Sequence, residues 1–324
     1  MNTPDLAIVI VNWNTRDLLR DCLTSVYANR GVAFQVCVVD NASTDSSPEM
    51  VEREFPQTRL IRNLRNSGFA HANNLGLKTW GLWEQGELSV ELGTPAGSQS
   101  SALNIPRYAL LLNSDTVTPP DALAQMVAFM DARPEAGAAG PKLVRPDGAL
   151  DLACRRSFPT PEVSFYRFFG LSKLFPRSPR LGRYNLTYLD PDQLIEVDSV
   201  NGAFMLVRAR AIEQAGLLDE AFFFGGEDLD WAFRIKAAGW KVYYNPSVVV
   251  QHVKRASFHK NPQAAFEFER ALWLFYRKHY QATTPRLLNV LICAGLVLRG
   301  GMRLAREMMR GSKHEKLSSP EGAR

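Results

Sequence analysis

The 324-residue chain predicts an α/β fold, a mostly parallel sheet flanked by helices with a helical C-terminal extension. Three observations carry this. Apolar stretches at 6–11 (LAIVIV), 34–39 (FQVCVV) and 108–112 (YALLL) read as strands buried on both faces. Between them lie stretches with helical spacing of apolar residues. The strands end abruptly in Asn, Asp and Ser, where an open α/β sheet opens its ligand crevice.

Taken in order, residues 6–11 form the first strand, followed by a helix at about 16–28. Its apolar stripe is Leu18, Leu19, Cys22, Leu23, Val26 and Tyr27. Phe34 to Val39 is the second strand, ending at Asp40-Asn41, and VVDNASTDSS (38–47) leads into a helical run to about Glu54. Residues 58–62 make a third strand, and NSGFAHANNLG (66–76) enters a helix ending near Trp83. Residues 84–106, rich in Gly, Ser, Pro and Gln, predict an exposed loop. The Leu110-Leu111-Leu112 strand runs into Asn113-Ser114-Asp115-Thr116, and Pro119-Pro120 opens a helix to about 132. From 151 to 192 aromatics mix with arginines, which suits either a cover and contact surface or a packed helical insertion.

NGAFMLVR (201–208) predicts a strand, 209–216 a helix, and GGEDLDW (225–231) the start of a helix running to about Ala238. Two short strands, 240–244 and 247–252, end at His252. A helix at about 262–280 and another at 286–310 close the chain, with a disordered tail expected beyond. The domain division expected is therefore 1–255 and a helical extension over 256–324.

A hydrophobic share of 46% with 22% charged residues is that of a globular protein rather than a disordered chain. The net charge of +5 suits anionic partners such as nucleotide phosphates or an acidic membrane surface; no nucleic-acid partner is expected. The four cysteines form no Cys-x-x-Cys pair and fit a reducing compartment. LAIVIV is too short for a secretory core and follows Asp5, and no run reaches the 18 or so apolar residues of a membrane span. A cytoplasmic protein is expected. The apolar stretch at 287–298, flanked by arginines, gives a helix that lies in the inner membrane interface or packs on the catalytic domain or a second subunit of a homodimer.

No G-x-x-x-x-G-K-[ST] or G-x-G-x-x-G loop follows a strand, so a bound diphosphate needs a cation to neutralise it. Asp115 offers a hard oxygen ligand and His252, also at a strand end, an imidazole, a pairing that tolerates Mn as well as Mg. Asn12, Asn14, Asp40 and Asn41 are placed for a base or ribose, although each equally suits capping a helix. Asn66, Gly68, Asn73 and Asn74 extend the same crevice. Glu227 and Asp228 fall in a helical first turn, where the dipole favours carboxylates and a general base can sit. Asp230 points away from Asp228.

Together, IVIVNWN (8–14), VVDNASTDSS, NSGFAHANNLG, LLLNSDT (110–116), NGAFMLVR, GGEDLDW and the strand ending at His252 resemble family 2 glycosyltransferases of the Rossmann-like GT-A fold, in the rhamnosyltransferase-like branch. The resemblance spans most of residues 6–252. It implies base and ribose contacts from Val11, Asn12, Asn14, Asp40 and Asn41, and a second nucleotide-side loop from Asn66, Gly68 and Asn73. Asn113-Ser114-Asp115 matches the Asp-x-Asp motif; Asn113 replaces its first carboxylate, which leaves the metal to Asp115 and His252. Asp228 matches the catalytic base, with Glu227, Gly202 and Trp231 on the acceptor side and 151–192 as an acceptor-side insertion. An inverting, Mn- or Mg-dependent transfer of rhamnose from dTDP-rhamnose to a glycan or lipid-linked glycan follows, in cell-surface polysaccharide synthesis. Transfer of another hexose from a UDP-sugar, a nucleotidyltransferase and a non-catalytic nucleotide-sugar-binding module are the alternatives. The loop after the first strand, NWNTRD (12–17), lacks the glycines and lysines a nucleotidyltransferase wants.

Overall fold

A computed structural model describes residues 4–82, 105–253 and 263–318, with side chains to 309. In chain order the elements are β1 (Leu6–Asn12), α1 (Arg16–Tyr27), β2 (Phe34–Asp40), α2 (Ser47–Glu54), β3 (Arg59–Arg62), α3 (Phe69–Lys78) and β4 (Tyr108–Asn113). Then come β5 (Thr116–Val117), α4 (Ala122–Asp131), β6 (Ala136–Val144), β7 (Arg155–Arg156), α5 (Pro161–Phe168), α6 (Leu171–Leu174), β8 (Ile195–Val197) and β9 (Ser199–Val200). The chain continues through β10 (Phe204–Arg208), α7 (Ala209–Ala215), α8 (Glu227–Ala237), β11 (Lys241–His252), α9 (Ala264–His279) and α10 (Arg286–Ser318).

One mixed sheet runs in the order β3-β2-β1-β4-β10-β6-β11-β5, with β8 beside β11. β3, β2, β1 and β4 pair in parallel, and the apolar runs of β1 and β4 are buried within the sheet. β10 then lies antiparallel between β4 and β6. Strand direction is not written in an apolar run, so the expected parallel sheet becomes mixed at this point. Leu110, Leu111 and Leu112 are buried at its centre, between Ile8 to Ile10 and Phe204 to Leu206.

Several elements differ from expectation. The two strands expected at 240–252 are one strand, β11, whose pairing with β6 slips between Asn245 and Val249. Asn201–Ala203 precede β10 as a turn. The loop expected at 84–106 and the helix end at Trp83 fall mostly outside the described residues. α10 runs to Ser318, beyond the 310 expected for the last helix, with a break at Gly301 (φ +68°, ψ −169°), and 319–324 lie outside the described residues. Residues 286–309 form a helix long and apolar enough to cross a membrane by length and composition. That corrects the count of uninterrupted apolar residues, which Asn289 and Arg299 break.

The C-terminal helices are docked on the sheet domain. Phe222, Leu229, Phe275 and Leu304 join α8, α9 and α10 in a second apolar cluster, and a fully buried aromatic such as Phe275 contributes about 1.5–3 kcal/mol. Asp230 is fully buried between Arg234 (2.8 Å), Lys278 (2.9 Å) and His279 (2.8 Å). Burial alone would raise its pKa, but these partners pull it down to about 2. Its part is to tie α8 to α9.

Candidate active site

A cleft of about 730 Å³ opens beyond the carboxyl ends of β1, β2 and β4. One wall includes Val11, Asn41, Asn66 and Gly68, expected on the nucleotide side, and Asn113 and Asp115 line it at the end of β4. Gly202, Glu227, Asp228 and His252 complete the set of expected residues that line it. Gly68 is required by its surroundings: its φ is +88°, and a Cβ there would stand 2.7 Å from the Phe223 carbonyl oxygen.

Six expected residues do not line the cleft. Asn12 is fully buried, donating to Asp40 Oδ1 (3.0 Å) and Ser43 Oγ (3.0 Å) while accepting from the Thr15 hydroxyl. Asp40 stands opposite it in the β1–β2 register and accepts the Ser43 N–H through its other oxygen. Asn14 accepts the Thr44 N–H at 2.7 Å and joins the two loops. These three side chains shape the walls of the site. Asn73 donates to the Phe69 carbonyl one turn back on α3. Trp231 is fully buried, its indole N–H held by the Gly216 carbonyl at 2.8 Å, because it sits on the core face of α8. Asn74, expected in the same crevice, is bonded both ways to the Leu218 backbone.

Asp115 and His252 meet because β5 pairs antiparallel with β11, setting Thr116 opposite His252. Asp115 Oδ1 lies 3.3 Å from His252 Nε2. On the far side of the ring, Nδ1 is 3.0 Å from Asp151 Oδ2, a carboxylate buried at the start of the 151–192 insertion. Burial works against a charged imidazole, but hydrogen bonds and charge from both aspartates outweigh it and push His252 up to about 9. A histidine fixed at one nitrogen by a carboxylate, with a second carboxylate at the other, is a donor set that fits a divalent cation. Among the described residues no group of three or more His, Cys, Asp or Glu side chains is arranged to hold a metal ion by itself. A cation here would take its remaining ligands from substrate oxygens and water, as Mg and Mn sites on phosphates do.

The second centre lies at the start of α8. Gly225 and Gly226 adopt φ of +84° and +88°, a left-handed turn that L-residues resist, and this turn aims the first helical residues at the cleft. Asp228 Oδ2 accepts from Arg156 Nη2 at 2.6 Å and from the Gly202 N–H at 2.9 Å. Both partners of this ion pair are only 9% exposed at the side chain. Arg156 also reaches the Val200 carbonyl at 2.9 Å. Burial disfavours the charged guanidinium, yet Asp228 and Tyr184 outweigh it and move its pKa further up. Glu227 is buried beside this pair with Oε2 bonded to nothing among the described residues, and burial together with the Asp228 charge raises it to about 8.

Asp151 and Arg156 are the residues that sequence reasoning missed. They lie five positions apart in one segment and brace His252 and Asp228 respectively. The available signal was alternation on a short strand: Arg155 turns away from the cleft to the carbonyls of Leu189 and Asp190, where it is buried, so Arg156 faces the cleft.

The sequence matches the glycosyltransferase like family 2 over residues 4–266. It is 26% identical over 321 residues to N-acetylglucosaminyl-diphospho-decaprenol L-rhamnosyltransferase of Mycobacterium tuberculosis, covering 99% of each chain. It is 23% identical over 281 residues to the low-salt glycan biosynthesis hexosyltransferase Agl10 of Haloferax volcanii, covering 86% of this chain and 75% of that protein. Among solved structures, the mannosyltransferase PcManGT from Pyrobaculum calidifontis, in complex with GDP-Man and Mn2+, superposes with a TM-score of 0.53 at 16% identity, over 97% of this chain and 81% of its own. GalNAc-T7 with UDP, GalNAc and Mn2+ gives 0.54 at 14% identity, over 89% of this chain and 54% of its own.

Proposed function

The chain belongs to glycosyltransferase family 2, and from that premise we propose that it transfers rhamnose from dTDP-rhamnose to a lipid-linked glycan with inversion at the anomeric carbon. The observation that carries this reading is that Asp115, His252 and Asp228, distant in sequence, line one cleft. The named activity of the Mycobacterium tuberculosis relative supports the sugar and the diphosphate-lipid acceptor. The Haloferax volcanii hexosyltransferase favours a second reading, another hexose in the same cleft.

In the reaction proposed, Asp228 takes the proton of the acceptor hydroxyl as that oxygen bonds to the anomeric carbon and the bond to the diphosphate breaks. Arg156 and the Gly202 N–H hold the carboxylate in place for this. Asp115 and His252 would hold a divalent cation, which when bound neutralises charge on the diphosphate. Asn113 and Asn41 contribute amides to the nucleotide side, and Asn12, Asn14 and Asp40 keep that wall in shape. Glu227 lies on the acceptor side.

The division that suits this activity is a catalytic domain over 1–255, with 151–192 facing the acceptor, and a helical extension from 256. The enzyme would work in the cytoplasm at the inner membrane face, where α10 is the element placed to touch lipid. Incubation with dTDP-rhamnose and other nucleotide sugars, with and without Mn, tests the proposal. A donor that raises the melting temperature only with the cation supports it. No shift with any nucleotide sugar would defeat it.

A further inference from the structure

α10 is amphipathic in an unusual sense: it turns its polar groups toward the protein and its aliphatics away. On the inner face, Asn289 accepts from the Tyr276 hydroxyl, Arg299 pairs with Glu269, Glu307 pairs with Arg270, and Leu304 is fully buried. On the outer face, before the break at Gly301, Leu287, Leu291 and Leu298 recur at helical spacing, Leu287 76% exposed and Leu298 82%, and Met302 beyond the break is also exposed. A second apolar cluster lies on α5 and α6. Phe168 and Phe169 meet edge to face at 4.8 Å, and Phe169, Leu174 and Phe175 are 60%, 68% and 49% exposed.

The two clusters are neighbours. The guanidinium of Arg299, on α10, sits 5.5 Å from the ring of Phe168, on α5. One residue earlier, Arg167 stacks over Tyr184 (4.2 Å) and Phe268 (5.6 Å), both of which line the cleft. The apolar surface therefore begins at the mouth of the cleft. It is also basic. Residues 161–183 carry Arg167, Lys173, Arg177, Arg180 and Arg183 against Glu162 alone, and 286–309 carry Arg286, Arg299, Arg303 and Arg306 against Glu307 alone.

We infer that the α5–α6 aromatic cluster and the outer face of α10 form a single surface that seats on an anionic lipid bilayer and lays the cleft mouth against it. Aliphatics flanked by arginines suit the headgroup boundary, where apolar burial and attraction to anionic lipid add. A second copy docked on the same face would oppose arginine to arginine across a two-fold axis. A helix crossing the bilayer would have to leave α9, uncover Leu304 and carry Arg299, Arg303 and Arg306 toward hydrocarbon. The surface stands on these contacts; only its purpose, bringing the cleft to an acceptor carried by lipid, rests on the proposed function.

Flotation of the full chain with phosphatidylcholine vesicles containing a minority of phosphatidylglycerol tests this. Wild type should float with these vesicles and less with phosphatidylcholine alone. Phe168→Ser with Phe169→Ser should lower the bound fraction about tenfold, Leu291→Ser with Leu298→Ser likewise, and all four should abolish it. Flotation of the α5 variant equal to wild type would overturn the two-element surface. So would a dimer in light scattering that the same substitutions dissociate. Nucleotide-sugar thermal shifts on each variant keep the question separate: unchanged shifts show an intact fold and donor site. A wild type that floats but binds no nucleotide sugar would defeat the transferase reading and leave the surface standing.

Discussion

Replacing Arg156 with Met removes the counter-charge of Asp228 while keeping much of the side-chain volume. The pair is 2.6 Å long and both side chains are 9% exposed, so the carboxylate left behind has little water and keeps only the Gly202 and Leu229 N–H groups. Breaking a buried pair from one side costs about 3–5 kcal/mol, a large part of the roughly 5–15 kcal/mol that holds a domain folded. Asp228→Asn strands the guanidinium instead and should also destabilise. The double variant strands neither charge, so its cost should fall short of the sum by roughly 2–3 kcal/mol. Urea unfolding of the four chains reads this coupling directly. Because the pair is buried, the coupling should persist in high salt. Additive costs would refute the ion pair as the support of Asp228. In catalysis, Arg156→Met should lower kcat with little change in donor KM, whereas Arg156→Lys, with one point charge for two acceptors, should fall between.

Asp151→Asn keeps a hydrogen-bond acceptor for His252 but removes its charge. Mn affinity, titrated in the presence of a nucleoside diphosphate, should weaken about 10–100-fold, and unchanged affinity would contradict the bracing role. Glu227 sits at about 8 against an ordinary 4.5, so the folded chain keeps a proton that the unfolded chain releases. Stability should therefore fall as pH rises from 4.5 to about 8, by an amount on the order of a few kcal/mol. Glu227→Gln should flatten that slope in pH-dependent unfolding; a slope equal to wild type would show that the carboxyl is not held protonated. Chelation by EDTA should abolish sugar transfer, and added Mn or Mg should restore it; transfer that survives EDTA would remove the cation from the account.

What the sequence disclosed followed from where its signals are local. The strands at 6–12, 34–40 and 108–113 are dominated by apolar residues up to their polar last residue and could be read directly. β6, AGAAGPKLV, was not expected, because Ala, Gly and Pro hide a strand. They are small there because the neighbours are close: a Cβ on Gly137 would meet Trp240 at 2.5 Å and one on Gly140 would meet Val200 at 2.7 Å. Asp115, His252 and Asp228 could be picked out because each ends or begins an element, where an open sheet gathers its ligands. Asp151 and Arg156 could not, since their partners are 101 and 72 residues away and the alternation of a two-residue strand is too short to point to them. Asn12 and Asp40 carried the right chemistry for a nucleotide wall, yet their register sets them against each other. Trp231 shows the same limit: its position on the helix is legible, but which face of α8 meets the core is decided by packing.

The account stands on a cation site and a proton acceptor facing one donor across a single cleft. Donor binding and sugar transfer measured side by side for wild type, Asp115→Asn with His252→Ala, and Asp228→Asn test it most directly. Asp228→Asn should keep Mn-dependent donor binding and lose turnover by about 10²-fold or more. The Asp115/His252 variant should lose both. Turnover near wild type in Asp228→Asn, or donor binding in the Asp115/His252 variant as tight as in wild type, would contradict it.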